Sequence, residues 1–425
     1  MSVATLGPTP IQLSHIREPS LVEQTILERI ENDQQTKLDQ HANLRHEGDR
    51  AFFVVDLGKV YKQHQRWTKE LRRVQPYYGS SVLTSYKLGV GFDCASIDEI
   101  KLVLNLAPEP TRVIFSNPCK SDYSIRFAAD ARVRMMSFDN LDELEKIKKY
   151  HPGADLLIRI FASDPTALVH LESKYGASLE STITLLRRAF ALELNVVGVS
   201  FHVGSGAGDV AAIGQAIKDS SLVLEEAKSV GFNPHILNVG GGFQDCNFEL
   251  ISGALRTALQ THIPKNIAII AEPGRYFARS AYTLACTVIG RRQVHNGSMD
   301  MIYQNDGVYG NFLNVIIEKE AISPSIVFLI NQQERQLTTR VYSIWGPTCD
   351  STDCVNPISR FGTEIMVGDW LIYKNMGGSV PKTPCRMGFL TNLAYTTSTS
   401  TNFNGFSSLY PTVYICSEAT VMHLF

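Results

Sequence analysis

Three shortages narrow what this chain of 425 residues can be. No apolar run approaches the ~18 residues that a membrane-crossing helix needs. The opening MSVATLGPTPIQLSHIREP has no basic stretch leading into an apolar one, so no signal peptide is expected either. Charge of one sign is also missing. Lys and Arg total 40 against 42 Asp and Glu, a net charge of -2, which offers no field to nucleic acid or an anionic membrane and favours a small-molecule partner. The eight cysteines include no CxxC pair, so no zinc module is expected, no metal is assigned, and reduced thiols of a cytoplasmic protein are the expectation. What the chain does have is an ordinary globular composition, 44% hydrophobic and 19% charged, over a length that suits two packed domains.

From about Ala51 to about Ser280, short apolar runs alternate with amphipathic stretches. AFFVVDL, RVIFSNP, VRMMSFD, LLIRIFA, VVGVSFHVG, HILNVGGGF and IAIIAEPG read as buried strands bounded by turn or polar signals. Between them, IDEIKLVLNLA, LDELEKIKKYH, LESTITLLRRAFAL and AIKDSSLVLEEAKSVG repeat apolar residues at three and four, the helical period. This alternation predicts an α/β fold, a (β/α)8 TIM-like barrel over residues 41–280, with an open doubly wound sheet as the rival. Beyond Ser280 the segments YTLACTVIGRRQV, DMIYQND, QLTTRVYSIWGP, GDWLIYKN and PTVYICS are rich in β-branched and aromatic residues, predicting a mainly β C-terminal domain over 281–425. Residues 1–40 fit neither pattern and are expected to pack with the β domain.

In such a barrel the reactive face lies where strands end, so polar residues directly after apolar runs are the candidates. VVGVSF finishes in His202-Val203-Gly204-Ser205, HILNV in Gly240-Gly241-Gly242, and IAIIA in Glu272-Pro273-Gly274-Arg275. Three successive glycines let backbone approach a ligand and present N–H groups to an anion, although a tight strand-to-helix turn would use them too. Arg275 is either a forked phosphate donor or a solvated turn residue, and His202 either a stacking ring or a structural histidine. Glu272, emerging from an apolar run, must find a cationic partner or shift its pKa, and a protonated pyridine nitrogen would be such a partner. Phosphate cradle, flat ring and buried acid together suggest pyridoxal 5'-phosphate.

The ordered segments FFVVDLG, GFDCAS, NPCK, FHVGSG, GGGF, AEPGRYF, NDGVYGNF, WGPTCD, GDWL, NMG and NFNGF resemble the eukaryotic ornithine decarboxylase family, with its alanine-racemase-like fold, from about Ala51 to about Phe406. The resemblance implies a homodimer with shared active sites that decarboxylates a small basic amino acid, most simply ornithine to putrescine. A lysine decarboxylase or a racemase on the same fold is a weaker alternative. It further implies that Asp93 and Glu99 lie near the cofactor ring, that Arg159 orients it, that His202 stacks on it and that Glu272 pairs with its nitrogen. Ser205, Gly240, Gly241, Gly242, Arg275 and Tyr395 would hold the phosphate. Cys349 and Asp350 would serve the twin subunit's site, Cys349 in protonation and Asp350 on the distal amine. By its spacing alone Cys349 would pass for an ordinary buried thiol.

Three departures from that family pattern matter. Family members carry a segment close to AVKCN, whose lysine forms the Schiff base, after the Pro-Tyr-Tyr that stands here at 76–78. This chain instead runs through GSSVLTSYKLGV into Gly91-Phe92-Asp93, shorter by about seven residues. Twelve residues, Gly79 to Val90, must then finish one strand, cross over and begin the next, so the second barrel unit is expected to be compressed or lost. Lys87, near the end of a short helix before Gly89, is a poor replacement because a lysine there faces water, and Lys120 sits at a better strand end. The second departure is an insertion at 378–393, patternless, with two prolines and a cysteine, just before Tyr395. A lost and a gained piece, each inside a motif, is the trace that misplaced exon boundaries would leave. Third, the acidic substrate contact of the family falls on Glu318, one methylene longer, which weakens selection of ornithine over lysine. Asn238, where the family commonly has Asp, reads as a minor change. With the lysine segment missing, the chain is expected to be an impaired carboxy-lyase or a non-catalytic relative that acts as antizyme inhibitors do, with antizyme as a partner.

Overall fold

The computed structural model describes residues 12–13, 19–39, 50–78, 87–106, 109–167, 173–294, 299–328, 338–377, 401, 404 and 410–418. The chain divides into two compact units, one of residues 1–60 with 278–423 and the other of residues 61–277 with 424–425. In chain order β1 (Gln12–Leu13), α1 (Leu21–Asp39) and β2 (Phe52–Asp56) come first, and α2 (Leu57–Glu70) follows. Eight parallel strands then succeed one another, β3 (Val74–Pro76), β4 (Phe92–Cys94), β5 (Val113–Phe115), β6 (Met135–Phe138), β7 (Asp155–Arg159), β8 (Asn195–Ser200), β9 (Ile236–Asn238) and β10 (Ala268–Ala271). Each strand pairs with its sequence neighbour and β10 pairs with β3. The ring closes between β3 and β4 at a Tyr77–Gly91 bridge, where Tyr78 N–H donates to Gly91 O at 2.8 Å and Gly91 N–H to Pro76 O at 3.0 Å. A closed cylinder leaves no edge to pair elsewhere, so the doubly wound alternative is excluded.

Two expectations are corrected here. The run FFVVD is not a barrel strand: β2 pairs antiparallel with β11 (Tyr282–Arg292) and parallel with β17 (Thr412–Ile415), inside the other unit. All five of its residues are buried, and a continuous apolar run looks alike in any doubly covered sheet. The second barrel unit, expected to be compressed or lost, is compressed and not lost. Strands β3 and β4, three residues each, give too short a period to detect, yet both pair in register and bracket the shortened connection. Residues 79–86 of that connection lie outside the described residues. The barrel unit accordingly spans 61–277 rather than 41–280.

Helices α3 (Ile97–Leu106), α4 (Asp122–Asp130), α5 (Leu141–Tyr150), α6 (Leu179–Ala191), α7 (Val210–Val230) and α8 (Phe248–His262) occupy the crossovers. Local chemistry sets their ends. Ser121 caps α4 by accepting from Ser124 N–H, Asn140 caps α5 through Glu143 N–H, and Gly231, at φ +114°, ends α7 in a left-handed turn that an L side chain resists. Trp67 on α2 is buried against Phe243, Phe248, Tyr276 and Phe277, and its indole N–H reaches Val74 O at 2.8 Å. Inside the cylinder, Tyr77, Ile114, Leu157, Val197 and Ile270 form an apolar plug with Met135 and Ile236. Strand period two then places the next inward positions, Arg159, Asn238 and Glu272, together above that plug, and a register shift in β8 sets Ser200 beside Arg159 and Asn238 in the same layer.

The other unit is built on β11, which pairs with β2, β12 (Met299–Gln304) and β16 (Trp370–Tyr373). Strands β13 (Ser325–Phe328), β14 (Val341–Trp345) and β15 (Cys354–Arg360) extend the sheet. Helix α1 lays Val22, Ile26 and Ile30 against Phe52, Val54, Ala285, Val327, Trp370 and Ile372 of this sheet.

Candidate active site in the barrel mouth

Five ionisable or ring side chains gather at the C-terminal ends of the strands. Asp93 on β4 accepts a short hydrogen bond from Ser116 Oγ at the end of β5. Glu99, in the first turn of α3, accepts from Ala95 N–H at 2.5 Å. Arg159 ends β7 with its guanidinium 5.1 Å from the centre of the Tyr175 ring. His202 follows β8, and its Nδ1 accepts from Gly204 N–H at 3.0 Å. Glu272 follows β10 and accepts from Asn238 Nδ2 at 2.6 Å.

The electrostatics of this pit are those of too many acids around one cation. Burial, then the charge of Glu272, pushes the Asp93 carboxyl well above the usual carboxylate range, and its bond from Ser116 opposes this only partly. Burial likewise raises Glu272, while the bond from Asn238 and the charge of Arg159 hold it back. For His202, burial and then Arg159 depress the imidazole to about 3, so the ring is neutral at physiological pH. A neutral flat ring, a carboxyl seeking a cation and a half-buried guanidinium make a receptor for an aromatic group that carries a basic nitrogen.

Beside them the loops after β8 and β9 touch closely. A Cβ on Gly240 would meet Phe201 O at 2.2 Å, one on Gly241 would meet Glu272 O and His202 Nε2 at 2.7 Å, and one on Gly242 would meet Gly204 O at 2.8 Å. Gly240 and Gly242 also have φ of +65° and +100°, so all three positions require glycine. Arg275 is buried in the short helix α9 (Gly274–Ala278), directly after Glu272, and Ser205 lies in the loop after β8. Ser200 Oγ, buried in the same inward layer, has no hydrogen-bond partner among the described residues. Tyr395 and the 378–393 insertion lie outside the described residues.

A residue that sequence reasoning passed over anchors the loop carrying Ser205. Asp164 Oδ2 accepts from Gly208 N–H at 2.9 Å and Asp209 N–H at 3.0 Å, while its Oδ1 takes Thr166 N–H and Oγ–H at 2.7 Å each. Burial pushes this carboxyl up, but the donors from Asp209, Thr166 and Gly208 outweigh it and hold its pKa below the usual range. A group so depressed stabilises the fold above its unfolded pKa and loses that contribution as pH falls through the folded value. Asp164→Ala is expected to cost about 1–3 kcal/mol by orphaning these donors, read by urea denaturation, and the loss should shrink towards pH 3.

Neither lysine candidate supplies an amine to the pit. None of the eight strands contains a lysine. Lys87 is exposed. Lys120 is fully buried and spends its ammonium on Glu143 at 2.9 Å, Asn117 O at 2.9 Å and Ser137 O at 2.7 Å.

In the β unit, Cys349 is exposed, and its N–H donates to Asn404 Oδ1 at 3.1 Å. Asp350 accepts a short hydrogen bond from Tyr309 O–H and a 2.8 Å bond from Thr352 N–H, which lowers its pKa. Buried Asp353 braces the same turn through Val308 N–H and Thr348 N–H. Glu318 ends the short helix α10 (Leu313–Ile317), where its N–H bonds Asn314 O. Sequence reasoning named Cys349 and Asp350 but not Tyr309, although NDGVYG was among the matched segments.

The family described as pyridoxal-dependent decarboxylase, pyridoxal binding domain, matches residues 57–279. An ornithine decarboxylase of Neurospora crassa is 40% identical over 414 residues, covering 88% of this chain and 82% of that protein. Antizyme inhibitor 2 of Xenopus laevis is 40% identical over 380 residues, covering 84% and 79%. Among solved structures, the Paramecium bursaria Chlorella virus arginine decarboxylase bound to agmatine superposes with a TM-score of 0.79 at 32% identity, covering 91% of this chain and all of that one.

Proposed function

Because this chain belongs to the pyridoxal-dependent decarboxylases, we propose that its barrel mouth takes pyridoxal phosphate for the decarboxylation of a basic amino acid, with ornithine the first substrate to test. The observation that carries this reading is the convergence of Arg159, His202 and Glu272 in one pit beside a loop that tolerates only glycine. These residues fit the cofactor. The neutral His202 ring would lie against its face, Glu272 would hold a proton on the ring nitrogen, and Arg159 and Asp93 would orient its polar edge. The amides of Gly240 to Gly242, with Ser205 and Arg275, would receive the phosphate. Bound there, the pyridinium supplies an electron sink for the carbanion left when carbon dioxide departs. In the β unit, Tyr309 would fix the Asp350 carboxylate for a distal ammonium group, and Cys349 would deliver the proton that replaces the carboxyl group. These two residues would act in the site of a second copy of the chain, Glu318 would be the further acidic contact to the substrate and Tyr395 would join the phosphate ligands, and homodimerisation is part of the reading.

A non-catalytic role, with antizyme as partner, is the second reading. The amine-free strand ends favour it, as does the similarity to an antizyme inhibitor. A cytoplasmic location is proposed on the cysteine pattern; among the described residues no helix is long and apolar enough to cross a membrane.

Two measurements separate the readings. Titration with pyridoxal phosphate should give a saturable change in cofactor absorbance that Glu272→Ala weakens at least ~10-fold. Carbon dioxide release from carboxyl-labelled ornithine, lysine and arginine should be slow but above a cofactor-only control, with ornithine fastest. Carbon dioxide release supports the first reading, uptake without any release supports the non-catalytic one, and no uptake removes the cofactor assignment of the pit.

A further inference from the structure

Asn238 ends β9 on the inner face, buried to 1% exposure, and it touches the acid and the glycine loop together. Its Oδ1 accepts from Gly240 N–H at 2.9 Å, and its Nδ2 donates to Glu272 Oε1 at 2.6 Å. Glu272 N–H in turn donates to Gly240 O at 2.7 Å, closing a three-cornered circuit. The amide cannot be turned over: Gly240 N–H is only a donor, so it must face the oxygen, which leaves the NH2 group for Glu272.

We propose that Asn238 is the positioning residue that fixes both the direction and the charge of the Glu272 carboxylate relative to the glycine loop. The proposal deepens the cofactor reading above and rests on it for its meaning. Donation from Nδ2 favours the ionised carboxylate and locks Oε1, so that Oε2 is the oxygen left for a ring nitrogen. An aspartate at this position could still accept from Gly240 N–H. It would also set a second carboxylate oxygen about 2.6 Å from Glu272, where two acids must share one proton. The neutral amide matters because the surroundings are already acidic: Asp93 from β4 and Glu99 from α3 stand against Arg159 from β7 as the cation, with His202 after β8 uncharged.

The test uses the full chain with Asn238→Asp and Asn238→Ala. In the first arm, without cofactor, glutamate carboxyl carbons are labelled with 13C and titrated by NMR, the Glu272 signal being assigned by its loss in Glu272→Gln. Asn238→Asp should move the Glu272 midpoint upward by at least about one pH unit. In the second arm, the affinity for pyridoxal phosphate is followed from about pH 6 to about pH 9. Asn238→Asp should add a titration step that the parent lacks, and Asn238→Ala should weaken binding ~10-fold without adding one. An unchanged Glu272 midpoint in Asn238→Asp overturns the proposal. So does an Asn238→Asp variant that binds pyridoxal phosphate more weakly with the parent's pH profile, because that outcome makes Asn238 a mere loop brace. If the parent takes up no cofactor, the cofactor reading fails, while the first arm still decides whether Asn238 governs the acid.

Discussion

Ornithine decarboxylation should rise at least ~10³-fold when Ala-Val-Lys-Cys-Asn is inserted between Tyr78 and Gly79, because a tethered amine replaces a step that otherwise needs water or a second molecule. Strand parity predicts where that lysine points. Ile270 belongs to the inner plug and is paired with Gln75, so Gln75 and Tyr77 face inward and each second position continues that face. The inserted lysine falls four residues after Tyr77, on the same inward parity and beyond the plug. The stretch 79–86 of the chain itself contains no lysine. The barrel is ready for the repair, since β3 and β4 are already in register on either side. Single-turnover and steady-state carbon dioxide release are the measurements, with the same insertion carrying methionine as control. Equal rates for the lysine and methionine insertions would remove the amine from the explanation of low turnover.

How far the residues announced this depends on the length of each signal. The barrel was legible because strands such as β7 and β8, five and six residues of mostly buried side chains, alternate with well-capped helices. Its first two strands were not, because three residues show no period, and their place was given to β2, whose apolar run fits a mixed sheet equally well. His202, Glu272 and the triple glycine stood out because they directly follow apolar runs. Asn238 met the same criterion and was set aside as a small change from aspartate, yet the difference between an amide donor and a second acid is felt at 2.6 Å from Glu272. Asp164 and Tyr309 act through partners 41 to 45 positions away, which no local pattern reveals.

Lys120 shows the converse, a residue whose position suggested chemistry and whose surroundings assign it to the fold. Its side chain and that of Glu143 are 0% and 1% exposed, and Glu143 also receives Lys146 Nζ at 2.6 Å and the Lys120 N–H at 3.2 Å. Burial lowers the Lys120 pKa, and the Glu143 charge and hydrogen bond oppose that fall. Removing the acid therefore leaves a buried ammonium without its counter-charge. Glu143→Ala should cost about 3–5 kcal/mol in urea denaturation at neutral pH, whereas Lys120→Met with Glu143→Leu, which removes both charges together, should cost far less. The pH dependence has a definite sign. In Glu143→Gln the folded pKa of Lys120 falls further below its unfolded value of ~10.4, so between those values the unfolded chain binds more protons and stability rises with pH. Denaturation of Glu143→Gln at about pH 7 and about pH 9.5 should show that rise relative to the parent. A Glu143→Ala cost below ~1 kcal/mol would mean that the ammonium had found solvent, and only then would Lys120 return as a candidate amine for the barrel.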